Sequence, residues 1–228
     1  MQSAALLDEQ ETGERDNRTL GAVVTGNAPV TLADIYNPEV NLAIWQLQLP
    51  SELQRNLTEE LGSASTSSPK LNITKIVTPE SVSQDLKFSL EAFDFAEPLL
   101  WHITNLVDMF ACLFELKRVG LRLAVLEHAM CPRFHVDKIP CRLVTTLFGD
   151  GTQWLDNDVV DRSKLATGED ERSGLFGQQS QVQSLSTGDV ALLKGEAWQG
   201  NEGRGLIHRS PKASAIKRRL VLTLDFVD

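Results

Sequence analysis

The sequence predicts an α+β fold that is mainly β in its C-terminal half, from about residue 118 onward. Between residues 81 and 116, large apolar residues recur mainly every third or fourth position, which is the period of a helix. Beyond Gly120 the period changes to two, which is typical of strands. Because the strands follow one another too closely for βαβ crossovers, we expect an antiparallel sandwich or barrel with helices on one outer face.

The N-terminal half is predicted to support the β core. Residues 1–18 are polar and charged, so we expect a disordered tail, followed by a single domain over 19–228. Within that domain, residues 19–117 are predicted to be a helical support region. A capped helix is expected to begin at Ser51 and end at Leu61. Residues 81–116 are expected to form two helices that Pro98 separates, because an interior proline loses a backbone hydrogen bond and clashes with the preceding turn.

The C-terminal half, residues 118–228, is predicted to be the β core. Short strands are expected at residues 121–125, 141–148, 189–193 and 219–226. Residues 156–184 are polar, contain glycine and show little periodicity, which indicates a long surface excursion and not a separate domain.

Composition excludes several classes of protein. The chain has 228 residues, 42% of them hydrophobic and 23% charged, which is typical of a globular domain with a real core. A net charge of −9 argues against nucleic acid or an anionic membrane as the main partner, so we expect a small molecule or a protein as substrate. No stretch reaches the length of an apolar membrane span.

Cysteine usage and the first residues indicate a compartment. The three cysteines, Cys112, Cys131 and Cys141, form no paired spacing, which fits a reduced environment. The first 15 residues are acidic where a signal peptide would have a basic start and an apolar run. We therefore expect a cytoplasmic protein.

Three side chains are candidate metal ligands. His135 and Asp137 are two residues apart, so on an extended strand both side chains point to one face. The only histidine that follows them is His208. Two histidines and one carboxylate on one face of an octahedron suit a non-haem Fe(II) that handles oxygen, because three positions stay open.

The order of these residues carries a resemblance. His135 and Asp137 are followed by a Gly188-Asp189 turn into an apolar strand, then by His208 and, eleven residues later, Arg219. Over about residues 118–226 the chain resembles the Fe(II)/2-oxoglutarate-dependent oxygenases, whose fold is a double-stranded β-helix of the jelly-roll or cupin-like kind. Residues 131–143 and 151–155 resemble more narrowly the bacterial family called domain of unknown function 1826.

The resemblance implies a cosubstrate as well as a metal. Fe(II) would be held by His135, Asp137 and His208, and a C-terminal arginine would bind the distal carboxylate of 2-oxoglutarate. Six Lys or Arg residues and no acid lie between residues 203 and 224, which predicts a cationic pocket. Alternation separates Arg219 from a leucine-bearing face, so Arg219 is the predicted anchor and Arg218 the alternative.

A second interpretation keeps the barrel and removes the oxygenase activity. The same three ligands could hold zinc or another divalent ion in an accessory or sensor protein, with Cys131 and Cys141 as soft ligands beside them. The resemblance also implies a gene context of zinc homeostasis. In a third interpretation the polar cluster only stabilises the barrel.

Other residues have predicted roles around the site. Trp154 and Trp198 are expected to form apolar walls of a substrate pocket, and the loops at 156–184 and 196–204 to select the substrate. His102 lies in an apolar helical stretch and is expected to be a packed histidine.

Overall fold

A computed structural model describes residues 21–62, 70–165, 173–211 and 218–227. The predicted tail, residues 1–18, lies outside these ranges. In the described residues the chain has a mixed α/β fold, with one large sheet, one small sheet and three α-helices.

The helices are α1 (Ser51–Leu61), α2 (Val82–Leu90) and α3 (Ala96–Leu113). Ser51 is the first helical residue of α1 and makes no side-chain cap, contrary to the predicted capped start. Pro98 does not separate α2 from α3, because it lies in the first turn of α3. There a proline is tolerated, since the first backbone N–H groups of a helix have no intrahelical partner. The break falls at residues 91–95 instead.

Within the described ranges ten strands form the two sheets. They are β1 (Ala22–Gly26), β2 (Val40–Trp45), β3 (Asn72–Val77), β4 (Val119–Leu126), β5 (Cys141–Phe148), β6 (Gln153–Leu155), β7 (Gln183–Ser184), β8 (Val190–Lys194), β9 (Ile207–Arg209) and β10 (Arg219–Phe226). The four predicted runs correspond to β4, β5, β8 and β10. The prediction of a helical support region was wrong for β1, β2 and β3, which extend the large sheet at both edges.

The large sheet has the strand order β1-β2-β8-β5-β10-β4-β3, and the small sheet has the order β7-β6-β9. Neighbours are antiparallel except β1 and β2, which pair in parallel. From β5 onward the chain passes repeatedly between the two sheets: β5, β8 and β10 lie in the large sheet, and β6, β7 and β9 in the small one.

The two faces of the large sheet differ in what covers them. One face packs against α1, α2 and α3 in the main core, to which β10 contributes Leu220, Leu222 and Leu224. The other face packs against the small sheet, where Val144 and Val221 meet Leu185 and Leu206. This second face also carries the polar site.

A third, smaller core lies on the outer side of the small sheet. Its buried members are Phe134, Leu155, Leu175 and Ile207. Leu175 is 1% exposed although it belongs to the predicted surface excursion at 156–184, so the excursion packs on the small sheet and is not purely a surface segment. Its apolar residues are too widely spaced to show a period.

Candidate metal centre

His135, Asp137 and His208 lie together at one end of the space between the sheets. One ligand atom from each residue lies within 4.8 Å of the others. His135 Nε2 is 3.7 Å from Asp137 Oδ1, and His208 Nε2 is 3.4 Å from Asp137 Oδ2. The structure therefore brings together the three residues that the sequence proposed as ligands.

Backbone pairing brings the two histidines together. The amide N–H of each donates to the carbonyl of the other, at 3.0 Å in both directions, so the segment around His135 pairs with β9. Phe134 is 2% exposed in the outer core, and alternation along an extended chain then directs His135 to the opposite side.

The hydrogen bonds of the imidazoles fit a metal site. His135 Nδ1 lies 3.0 Å from the Arg133 carbonyl oxygen, and His208 Nδ1 lies 3.1 Å from that of Leu206. A carbonyl only accepts, so each Nδ1 carries a hydrogen, and Nε2 is the ring nitrogen that faces Asp137. Burial lowers the pKa of His208 to about 4, which keeps its ring neutral, as a metal ligand must be.

Arg142 holds the carboxylate of the cluster. Its Nη1 donates to Asp137 Oδ2 at 2.8 Å, and its Nε and Nη2 donate to the two carboxylate oxygens of Asp225 at 2.7 and 2.9 Å. Such a partner orients the ligating carboxylate. This role was not predicted from the sequence, although a charged residue in a predicted strand five residues after Asp137 was a usable signal.

Arg219 is on the same face as the cluster and lines the same cavity. It is 8% exposed, its Nε donates to the Asp150 carbonyl at 2.5 Å, and its Nη2 lies 3.2 and 3.5 Å from the hydroxyls of Thr146 and Thr152. Burial lowers the pKa of Arg219 to about 10, so the side chain stays cationic at neutral pH.

The turn that carries Asp150 needs glycine at 149, where φ is +84° and a Cβ would lie 2.3 Å from a backbone oxygen.

Arg218, the alternative anchor, points to the other side of the sheet. Its Nη1 donates to the Leu61 carbonyl at the end of α1, at 3.5 Å, and its Nε pairs with Glu127 at 3.5 Å. The predicted cationic pocket holds for two of the four described basic residues of that run, whereas Lys212 and Lys217 lie outside the described residues. Arg204 bonds the Gly200 carbonyl, whereas Arg209 and Arg219 line the cavity.

Two cysteines and two tryptophans were predicted at or beside the site, and one residue of each pair lies in the main core instead. Cys131 is exposed and lines the cavity. Cys141 is fully buried in the main core, so its thiol cannot reach the site. Burial also raises the pKa of that thiol. Trp154 lies opposite His208 in the strand register and packs between the sheets. Trp198 packs edge-on against Tyr36 at 5.5 Å in the main core, so its predicted role as a wall of this site was wrong.

The fold is similar to that of solved structures. The structure is similar to dioxygenase for auxin oxidation 1 from Arabidopsis thaliana, solved as a binary complex with 2-oxoglutarate, with a TM-score of 0.50 at 10% identity over 91% of this chain and 92% of that chain. It also matches a prolyl-4-hydroxylase from Pseudomonas putida, with a TM-score of 0.46 at 13% identity over 87% of this chain and 98% of that chain. The first likeness shows that the chain has a 2-oxoglutarate-oxygenase-like fold.

The particular family follows from the sequence. The chain belongs to the family described as Protein of unknown function (DUF1826), whose profile matches residues 26–225, and this confirms the family resemblance. No curated protein matches the chain. Among the described residues, none of the helices combines the length and apolarity that crossing a membrane requires.

Proposed function

We propose that the protein is a non-haem Fe(II)- and 2-oxoglutarate-dependent oxygenase of the hydroxylase type. The observation that carries this proposal is the convergence of His135 Nε2, His208 Nε2 and the Asp137 carboxylate within 4.8 Å. Two neutral imidazoles and one carboxylate on one side of a centre are the donor set that suits Fe(II) with open positions.

The strand order supports a double-stranded β-helix. In the large sheet the strands β8, β5, β10 and β4 are neighbours, and in the small sheet β7, β6 and β9 are neighbours. The backbone bridge of His135 to His208 adds a further segment next to β9. A chain that alternates between two antiparallel sheets in this way winds as a jelly roll does.

The residues around the cluster have distinct tasks. His135, Asp137 and His208 would hold the metal, and Arg142 would keep Asp137 oriented. When bound, Fe(II) supplies O₂ activation coupled to oxidative decarboxylation of 2-oxoglutarate to succinate and CO₂, with the second oxygen atom entering a substrate C–H bond. Arg219 would bind the distal carboxylate of 2-oxoglutarate, since it is a buried cation on the cavity wall beside two hydroxyl groups.

The cavity sets a condition on cosubstrate binding. Its volume is about 60 Å³, below the range of roughly 300–1,000 Å³ that is usual for ligand pockets. Met130 lies on the cavity wall and is 41% exposed, so this flexible side chain can move outward at little cost. We expect 2-oxoglutarate binding to displace it.

Turnover of the loaded protein tests the proposal. Full-length protein reconstituted anaerobically with Fe(II) should convert 2-oxoglutarate to succinate when O₂ is admitted, and His135→Ala should abolish this because one ligand is removed. The matched control is His128→Ala, which changes an exposed histidine outside the cluster. Succinate formation in the wild type that persists unchanged in His135→Ala would contradict the proposed site.

A metal-binding protein without oxygenase activity is the second candidate. The exposed thiol of Cys131 on the cavity wall favours it, because a soft ligand near two histidines suits zinc. Metal analysis after aerobic purification and a 2-oxoglutarate titration separate the two functions. Tightly bound zinc without cosubstrate binding would establish this second function and refute the first.

A further inference from the structure

A groove on the cavity-facing side of the large sheet adjoins the candidate metal centre. It lies toward the edge formed by β4 and β3, and we call it the Arg122 groove after one of its lining residues; the others include Thr74, Ile76, Met130, Ile139 and Val227. The groove shares Met130, Arg142 and Thr223 with the metal-centre cavity. A molecule in the groove can therefore extend one end toward the metal centre.

Arg122 has no protein partner in the groove. Its Nε is fully buried without a hydrogen bond, and within the described ranges no acceptor bonds its guanidinium. Arg142 and Arg219, on the same face of the sheet, donate to carboxylates and to a carbonyl respectively. The guanidinium of Arg122, which lines the groove, is therefore available to an acceptor that is not part of the described chain.

The charges around the groove favour an anion. Asp225, the acid that lines it, already accepts two hydrogen bonds from Arg142, at 2.7 and 2.9 Å. Lys75 also lines the groove and donates to the Asp85 carbonyl at 2.5 Å. Among the described residues the positive charge of Arg122 is therefore left without a counter-ion, in a protein of net charge −9.

The rest of the groove is apolar and of small-molecule size. Ile76 is 59% exposed and Met130 is 41% exposed, and both line it together with Ile139 and Val227. Its volume is about 520 Å³, within the usual range for small-ligand pockets of roughly 300–1,000 Å³. These side chains would cover an apolar portion of a ligand.

We infer that the Arg122 groove binds the primary substrate and that this substrate is a small apolar molecule bearing a carboxylate. The guanidinium fork of Arg122 matches a planar carboxylate with two parallel hydrogen bonds. The apolar part of the molecule lies against Ile76 and Met130, of which Met130 also lines the metal-centre cavity. The word substrate rests on the proposed oxygenase function, whereas the binding of the carboxylate does not.

Methionine methyl signals give a direct readout of the groove. The chain has three methionines: Met130 lines the groove, Met109 lies in α3 on the other side of the sheet, and Met1 is the first residue. Full-length protein with ¹³C-methyl methionine is titrated with a panel of alkyl and arylalkyl carboxylates, each paired with its primary amide. We expect acids of the panel to shift the Met130 signal, assigned with Met130→Leu, while their amides do not and Met109 stays fixed.

Variants locate the carboxylate. Arg122→Leu should weaken acid binding by about tenfold or more and remove the preference over the amide, because the bidentate ion pair is lost. Arg55→Leu makes the same charge change on an exposed position of α1 and should bind as the wild type does. Arg219→Met should also retain acid binding, which shows that the probe does not occupy the predicted 2-oxoglutarate site.

Several outcomes would overturn the inference. These are acid binding unchanged in Arg122→Leu, amides binding as well as acids, or no acid of the panel moving Met130. If Arg122→Leu does not fold, the wild-type contrast between acid and amide at Met130 still decides. Succinate formation is measured separately: probe binding without turnover refutes only the oxygenase, and turnover without probe binding refutes only the groove.

Discussion

The two faces of the large sheet are built from neighbouring residues of the same strands, yet they have opposite chemistry. On the helix-covered face, β10 presents Leu220, Leu222 and Leu224, each 0% exposed. On the cavity face the intervening positions include Arg219, Thr223 and Asp225, and all three line the metal-centre cavity or the Arg122 groove. Stability and chemistry thus occupy alternate residues of one strand.

The difference shows what each face requires. Apolar side chains on the helix-covered face need only to pack closely, whereas each buried charge on the cavity face needs a hydrogen-bond or ionic partner. Arg142 is bonded by two carboxylates, and Arg219 by a carbonyl and hydroxyl groups. Arg122 is half-buried and has no such partner among the described residues, which leaves its guanidinium for a ligand of the groove.

The largest expected effect is on the helix-covered face. Leu222→Ala should lower the free energy of unfolding by about 2–5 kcal/mol, because it leaves a cavity in a closely packed core. Thr223→Ala, one residue further on the cavity face, should cost less than about 1 kcal/mol, since Thr223 is only half-buried. Urea unfolding of both variants measures the contrast, and equal losses would show that both faces contribute alike to stability.

An intermediate effect is expected for the two adjacent arginines. Arg219→Met should raise the Kd of 2-oxoglutarate roughly tenfold to a hundredfold, about 1.4–2.7 kcal/mol, because a hydrogen bond to a charged group is lost. Arg218→Met should change that Kd by less than about twofold, since its side chain contacts α1 and Glu127 on the other side. Calorimetric titration of metal-loaded protein provides the values. A larger effect at Arg218 would reverse the assignment of the anchor.

The sequence predicted the parts of the fold that have a strong period. The runs at 141–148 and 219–226 coincide with β5 and β10, and alternation correctly separated Arg219 from the leucine face. His135, Asp137 and His208 were proposed as one cluster, and the structure places them together. Their role as metal ligands stays a prediction.

Other features could not be predicted because they depend on partners distant in the sequence. The strands β1, β2 and β3 gain their sheet positions from pairing with each other and with β8 and β4. Arg142 and Arg122 look alike as strand arginines, and only the folded structure shows that one is paired with Asp225 and the other is not. Leu175 becomes a core residue only because the small sheet offers it a surface.

The last expected effect is a pH dependence on the helix-covered face. His102 is 3% exposed, and its Nε2 has no hydrogen-bond partner in the described part of the chain. Burial lowers its pKa to about 4 from an ordinary value of 6.5. Between these two values the unfolded chain binds a proton that the folded protein excludes, so stability falls as the pH is lowered from 6.5 toward 4. At pH 5 the loss from this group is about 2 kcal/mol.

Urea unfolding at pH 7 and pH 5 should therefore show about 2 kcal/mol less acid destabilisation in His102→Leu than in the wild type. The exposed control His128→Leu should behave as the wild type does, and an equal acid loss in His102→Leu would mean that His102 is already protonated in the folded protein at pH 5.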